Sequence, residues 1–326
     1  MFLHLLICII GFIILYFSAE WLVKGSSSLA RNMGLTPIVI GLTVVAFGTS
    51  APELVVSLIS SIEGKGMIAV GNVIGSNICN IGLVLGLSAL FHPIKCSGEV
   101  VKREIPIMIG ISLFLLLVSC NSVIGRFEGA ILFGGVIAYT IVNYKIALKK
   151  TGTDAVDEFP DYEAELIEIG YVESRGKQII LILVGIAGVA GGAQIVVESA
   201  VKIMTALGVG EKFISLTLIA FGTSLPELTT SIVAAVRKEM DISIGNLLGS
   251  NVFNILSVLG LSSLVRPIII PGGLIESGLI IDFLVMMFMG FLPWVMMRKD
   301  HTMSRTKGLT LLLFYACYII YLILKS

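Results

Sequence analysis

Charge is scarce in this sequence. Only 13% of its 326 residues are Asp, Glu, Lys or Arg, against 56% hydrophobic, and the mean hydropathy of +1.01 lies far outside the range of a soluble domain. The charges cancel at 22 basic and 22 acidic residues, so no net charge points to nucleic acid or to an anionic partner. No Gly-Lys-Ser/Thr phosphate-binding loop occurs, so ATP hydrolysis is not the energy source. His4, His92 and His301 are scattered near segment ends, and no histidine or aspartate falls near the serine-rich motifs, which argues against an intramembrane enzyme. Cys8, Cys79, Cys96, Cys120 and Cys317 show no paired metal or redox spacing and read as small core residues. Nothing implies a cofactor. The first apolar run lacks a basic leader and a small-residue cleavage site, so it reads as a retained helix.

Long apolar runs are what the sequence has in quantity. They fall at 2–23, 36–62, 66–91, 105–122, 127–147, 178–203, 211–236, 241–265, 276–297 and 307–324, predicting ten transmembrane helices in an all-α membrane protein. Of the 22 Lys and Arg, only Lys65, Arg126, Lys202, Lys212, Arg266 and Lys325 fall on one side of such a topology. The positive-inside rule makes the other side cytoplasmic, with both termini outside. One polar stretch of length, 151–176, carries Asp154, Asp157, Glu158, Asp161, Glu163, Glu165, Glu168 and Glu173. Its acids do not follow an EF-hand pattern, and it reads as a solvated cytoplasmic linker.

The linker joins two copies of one design. A shift of 174 residues lays 34–94 on 208–268 without a gap, with nearly half the positions identical. The expected parts are a first five-helix repeat over 1–150, the linker over 151–176 and a second repeat over 177–326. Five helices is an odd number, so the second copy must enter the membrane from the opposite side. Inverted repeats of this type are a transporter architecture, with the site near the midplane where the repeats meet.

Two motifs survive intact in both copies. The first is Ala46-Phe47-Gly48-Thr49-Ser50-Ala51-Pro52-Glu53, matched by Ala220-Phe221-Gly222-Thr223-Ser224-Leu225-Pro226-Glu227. Proline cannot donate to the carbonyl four residues back, so Pro52 frees that of Gly48 and Pro226 that of Gly222, and the carbonyls of Ala46 and Ala220 can turn inward. The hydroxyls of Thr49, Ser50, Thr223 and Ser224 and the carboxylates of Glu53 and Glu227 complete a cluster of hard oxygens, the donors Ca2+ and Na+ prefer. The second motif runs from Gly71 to Asn80 and from Gly245 to Asn254. Ser76 and Asn80, like Ser250 and Asn254, are four apart and share one helix face, able to point further oxygens at the same centre.

A carboxylate at the centre of a spanning helix costs at least roughly 2.5 to 3.5 kcal/mol on insertion scales. Two facing each other also repel, so such a pair needs a metal ion or a proton between them. Two ordinary kinks with hydroxyl-capped glutamates would not explain why both motifs are duplicated intact while the surrounding sequence has drifted. Glu20 with Lys24, and Glu198 with Lys202, have the spacing of helical ion pairs and read as structural. Asp282 falls opposite Met108 at the 174 offset, so it lacks a duplicated mate and is expected outside the central site.

At the two duplicated motifs the chain resembles the cation/calcium exchanger superfamily. Within it, the likeness is to the sodium/calcium exchangers, whose two alpha-repeats carry Gly-Thr-Ser-x-Pro-Glu/Asp and Gly-Ser-Asn-type signatures. The resemblance spans both halves and is to the prokaryotic type, with a short connector. It implies Na+/Ca2+ antiport by alternating access, with helices 1 and 6 sliding past the rest. It further implies that Glu53 and Glu227 are calcium ligands shared with sodium, and that Thr49 and Thr223 add oxygens. Ser50, Ser76, Ser224, Ser250 and the carbonyls of Ala46 and Ala220 would then complete flanking sodium sites, with Asn80 and Asn254 at the middle. Some microbial members and the potassium-dependent branch carry aspartate where Asn254 stands, so two formal charges instead of three weaken the case for potassium cotransport. The alternative is a proton/calcium exchanger using the same glutamates, although those relatives usually carry a Gly-Asn-x-x-Glu motif instead. A channel would need a continuous pore, and no ring of repeats or arginine series suggests one. The implied partners are the lipid bilayer and the transported Ca2+ and Na+, with no obligatory protein partner, and the implied setting is a bacterial or archaeal inner membrane.

Overall fold

The computed structural model describes residues 1–150, 171–209 and 220–325. In chain order the first part contains α1 (Phe2–Asn32), α2 (Pro37–Thr49), α3 (Ala51–Ile62), α4 (Gly66–Phe91), β1 (Ile94–Lys95), α5 (Ile105–Ser119), β2 (Val123–Ile124) and α6 (Arg126–Lys150). Then come α7 (Arg175–Ala206), α8 (Ala220–Thr223), α9 (Leu225–Val236), α10 (Met240–Val265), β3 (Ile268–Ile269), α11 (Gly273–Glu276), α12 (Leu279–Met297), β4 (Thr302–Met303) and α13 (Arg305–Lys325). Among the described residues, the regular structure is helical apart from four two-residue strands. Most of the expected acidic linker, 151–170, lies outside the described residues, as does 211–219 of the seventh expected span.

Among the described residues, seven helices are long and apolar enough to cross a bilayer: α1, α4, α6, α7, α10, α12 and α13. An eighth crossing forms if α2 and α3, bent by 46° at their junction, count as one broken span. Pro52 occupies the second position of α3 and Pro226 that of α9. The junction residues Ser50 (φ −82°, ψ 7°) and Ser224 (φ −90°, ψ 5°) leave the helical region, as the missing proline N–H requires.

α1 runs well past the expected end at residue 23. Lys24 and the serines after it interrupt the hydropathy signal, yet Ser26, Ser27 and Ser28 are buried and the helix continues through them. At 31 and 32 residues, α1 and α7 each reach roughly 46 Å, more than the roughly 30 Å hydrocarbon core. They pack antiparallel, with Gly11 opposite Val196 and Gly185 opposite Leu22; a side chain at Gly185 would run into the Leu22 backbone.

α4 and α10, which carry the Gly-Ser-Asn motifs, form the centre. Their most apolar windows are 78% and 83% buried by protein, against 11% for the lipid-facing α13. α2 lies so close to α10 that a Cβ at Gly249 would press on the Leu42 carbonyl and on Ala46. Each central helix loosens into a π turn at the same point of its repeat, over Asn80–Leu85 and Asn254–Leu259.

Duplication extends beyond the stretch legible in the sequence. β1 pairs antiparallel with β4, and β2 with β3, so each repeat lends one strand to each ribbon. Met108 and Met286 occupy matching places, accepting from Asn251 and Asn77. The second repeat therefore has four more residues before this helix than the first, and Asp282 corresponds to Glu104, which corrects the expectation that Asp282 has no mate. Both carboxylates accept a tyrosine hydroxyl at 2.9 Å, Glu104 from Tyr139 and Asp282 from Tyr318. The two expected local ion pairs also give way. Glu20 pairs with Arg237 instead of Lys24, and Glu198 accepts from Gln194 Nε2 at 2.9 Å instead of pairing with Lys202.

Candidate cation site

The helix breaks place Glu53 and Glu227 in the first turns of α3 and α9, where each carboxylate is fully buried. Among the described residues, no Lys, Arg or His forms an ion pair with either. Ser50, at the first break, donates to Glu227 Oε1 at 3.0 Å, which brings the carboxylate of the second repeat to the motif of the first. Ser76 donates to Glu53 Oε1 at 3.4 Å from α4.

Two asparagines outside the expected set tie this arrangement together. Asn72 Nδ2 donates to the Glu53 carbonyl (3.3 Å) and to Ser57 Oγ (3.0 Å), while its Oδ1 accepts from Thr223 at 3.4 Å. Asn246 repeats each of these bonds in the other half, to the Glu227 carbonyl (3.4 Å), to Ser231 Oγ (2.9 Å) and from Thr49 (2.9 Å). Thr49 also lies 3.3 Å from Ser250 Oγ. The Ala46 carbonyl accepts the Ser50 N–H at 3.0 Å and opens its α-turn, as Ala220 opens α8. The Ser224 hydroxyl, unlike that of its mate Ser50, reaches neither carboxylate and has no hydrogen-bond partner. Asn72 and Asn246 stand inside the duplicated second motif, and that duplication is the signal by which the sequence could have revealed them.

Asn80 and Asn254 are fully buried at the start of the two π turns. Each amide nitrogen is engaged, Asn80 Nδ2 with Asn251 Oδ1 at 3.1 Å and Asn254 Nδ2 with Asn77 Oδ1 at 3.2 Å. Four buried oxygens remain without a donor in two symmetric pairs: Glu53 Oε2 with Glu227 Oε2, and Asn80 Oδ1 with Asn254 Oδ1. All four only accept. Unsatisfied buried acceptors cost about 1–3 kcal/mol each, and more when charged. Among the described residues no cluster of three His, Cys, Asp or Glu able to hold a metal exists; the donors the two motifs offer a cation are carboxylate, amide and hydroxyl oxygens, the chemistry of a hard cation.

The model of the family described as sodium/calcium exchanger protein matches residues 3–145 and 177–324, covering both repeats and leaving out the acidic stretch. The chain belongs to the sodium/calcium exchanger family. This places it among multi-pass membrane exchangers. Among similar members, the sodium/calcium exchanger MaX1 of Methanosarcina acetivorans is 30% identical across 98% of both chains. The inner membrane protein YrbG of Escherichia coli K12 is 37% identical over 263 residues, 79% of each chain. In three dimensions the chain is similar to the sodium-calcium exchanger NCX_Mj from crystals soaked with Na+ and Ca2+, with a TM-score of 0.81 at 31% identity over 98% of both chains.

Proposed function

We propose that the chain is a secondary-active antiporter that exchanges Na+ for Ca2+ at a single midplane site built from both repeats. The observation that carries this reading is the set of four buried, donorless oxygens on Glu53, Glu227, Asn80 and Asn254. One divalent cation neutralises both carboxylates, and sodium ions compete for the same oxygens and for the hydroxyls of Thr49, Ser50, Ser76, Thr223, Ser224 and Ser250 and the carbonyls of Ala46 and Ala220. Competition is the coupling: an empty, doubly charged site resists crossing the apolar core, and a filled one can switch. The α1–α7 pair, long and packed through glycines, is the group that slides.

The reading includes ten crossings in two inverted repeats, 1–150 and 177–326, with both termini outside and a cytoplasmic linker over 151–176. Strand pairing supports that parity. β1 and β4 both precede even-numbered crossings on one face, and β2 and β3 precede odd-numbered crossings on the other, so each ribbon joins loops of the same side.

The test is uptake of radioactive calcium by liposomes holding the purified protein, loaded with sodium and diluted into sodium-free buffer. A matched pH gradient without sodium runs beside it, with Glu53→Gln and Glu227→Gln as controls. Uptake that needs internal sodium and is lost in both variants is the expected result. Uptake driven by the pH gradient alone would move the chain to proton coupling, and uptake that ignores both gradients would make it a channel.

A further inference from the structure

A carboxylate offers a cation oxygen at either end, whereas an amide is ambiguous. Asn80 and Asn254 can serve a cation only if their oxygen faces it, because a turned amide would present an NH2 donor to a positive charge. Something must fix which end points inward.

We infer that Met108 and Met286, through Asn251 and Asn77, are positioning residues that set the amide direction of Asn80 and Asn254 and so tune cation affinity; this rests on the function proposed above. Asn251 Nδ2 donates to Met108 Sδ at 3.3 Å. A thioether sulfur can only accept, so it holds the Asn251 nitrogen toward itself and leaves Asn251 Oδ1 facing the other way. That oxygen can only accept in turn. Asn80 therefore offers its Nδ2, at 3.1 Å, and its own Oδ1 is left buried without a donor.

The second relay runs in the opposite sense through the same four-asparagine cluster. Asn77 Nδ2 donates to the Asn251 main-chain carbonyl at 3.2 Å and to Met286 Sδ at 3.9 Å, both of which only accept. Asn77 Oδ1 accepts Asn254 Nδ2 at 3.2 Å, leaving Asn254 Oδ1 without a donor. A hydroxyl at position 108 or 286 could donate or accept and would leave the direction undecided. Methionine decides it, and both methionines are buried, at 2% and 3% exposure, where no water competes. Each relay crosses between repeats, since Met108 acts on Asn251 and Met286 on Asn77.

The experiment is calorimetric titration of Ca2+ into the purified full chain and into Met108→Leu, Met108→Gln, Met286→Leu and Met286→Gln, with thermal unfolding of each measured alongside. Leucine keeps the volume and removes the acceptor; glutamine restores an acceptor oxygen. Met108→Leu should weaken Ca2+ binding about fivefold, the typical net worth of one buried hydrogen bond, with little change in unfolding temperature. Met108→Gln should recover most of that loss. Met286→Leu should lose less, because its contact is longer and Asn77 is also held by the Asn251 carbonyl. Unchanged affinity in both leucine variants would overturn the inference. An equal loss in leucine and glutamine variants, with a matching fall in unfolding temperature, would also overturn it by assigning the methionines to packing. If Met108→Leu does not fold, the Met286 variants make the same comparison. The readout is binding, so a wild-type chain that binds Ca2+ without exchanging it for Na+ defeats the exchange reading and leaves this test intact.

Discussion

The turn between α9 and α10 and its counterpart between α3 and α4 occupy equivalent places in the two repeats and are held in opposite ways. At the first, Arg237 pairs with Glu20 and Glu239 pairs with Arg31 at 2.9 Å, so two ion pairs fasten α1 to the core. At the second, the matching residues Glu63 and Lys65 pair with each other at 2.8 Å, and that bond holds the Lys65 ammonium above its ordinary range. On α7 the positions equivalent to Glu20 and Arg31 are Gln194 and Thr205, which bond within their own helix. The cation site behaves differently, because the bonds of Asn72 recur one for one at Asn246. Twofold matching holds for the asparagine bonds at the proposed cation site and lapses at the rim, where each face meets its own surroundings. The rim is thus unequal, with α1 tied to the core at one face.

The largest test of that inequality is stability. Arg31 and Glu239 are 11% and 5% exposed, and removing one partner of such a buried pair costs about 3–5 kcal/mol. Arg31→Ala should therefore lower the unfolding temperature markedly in detergent. Lys65→Ala, at a solvent-exposed pair, should leave the unfolding temperature nearly unchanged. Equal effects from the two substitutions would erase the contrast between the rims.

A smaller test lies inside the site, where the two breaks are not fully alike. Ser50 donates to Glu227, whereas Ser224 reaches neither carboxylate. A hydrogen bond to a charged group is worth about 1.5–3 kcal/mol, so Ser50→Ala should weaken Ca2+ binding by about tenfold or more. Ser224→Ala should change it by less than about twofold, a gap that calcium titration of the two variants resolves. Matched losses would mean that Ser224 takes up an equivalent contact when the ion is bound.

Much of the centre was legible in the sequence because the duplication marked it. Glu53, Glu227, Asn80 and Asn254 stood out as polar residues repeated inside apolar runs; in the structure each glutamate accepts from a motif serine, and each of the two asparagines donates to another asparagine of the second motif. Asn72, Asn77 and their mates stood in the same motif, but spacing alone does not tell a cross-link from a packing residue. Met108 and Met286 carried no signal, because a methionine in an apolar run looks like any core side chain and the offset drifts by four residues before it. The same drift hid the correspondence of Glu104 with Asp282. Local charge spacing misled at Glu20, whose partner Arg237 is 217 residues away and reaches it only through the fold. The length of α1 was hidden by serines that are polar in sequence and buried in the helix bundle.

The central claim is that two half-sites make one cation site, and equilibrium calcium binding tests it most directly. Binding of radioactive Ca2+ to the purified chain is measured for the wild type, Glu53→Gln and Glu227→Gln. The account predicts one Ca2+ per wild-type chain and an affinity lowered on the order of a thousandfold in either variant, since each carboxylate lies close to the same divalent charge. Two ions per wild-type chain, with one retained at full affinity in each variant, would contradict it and make the repeats two independent sites.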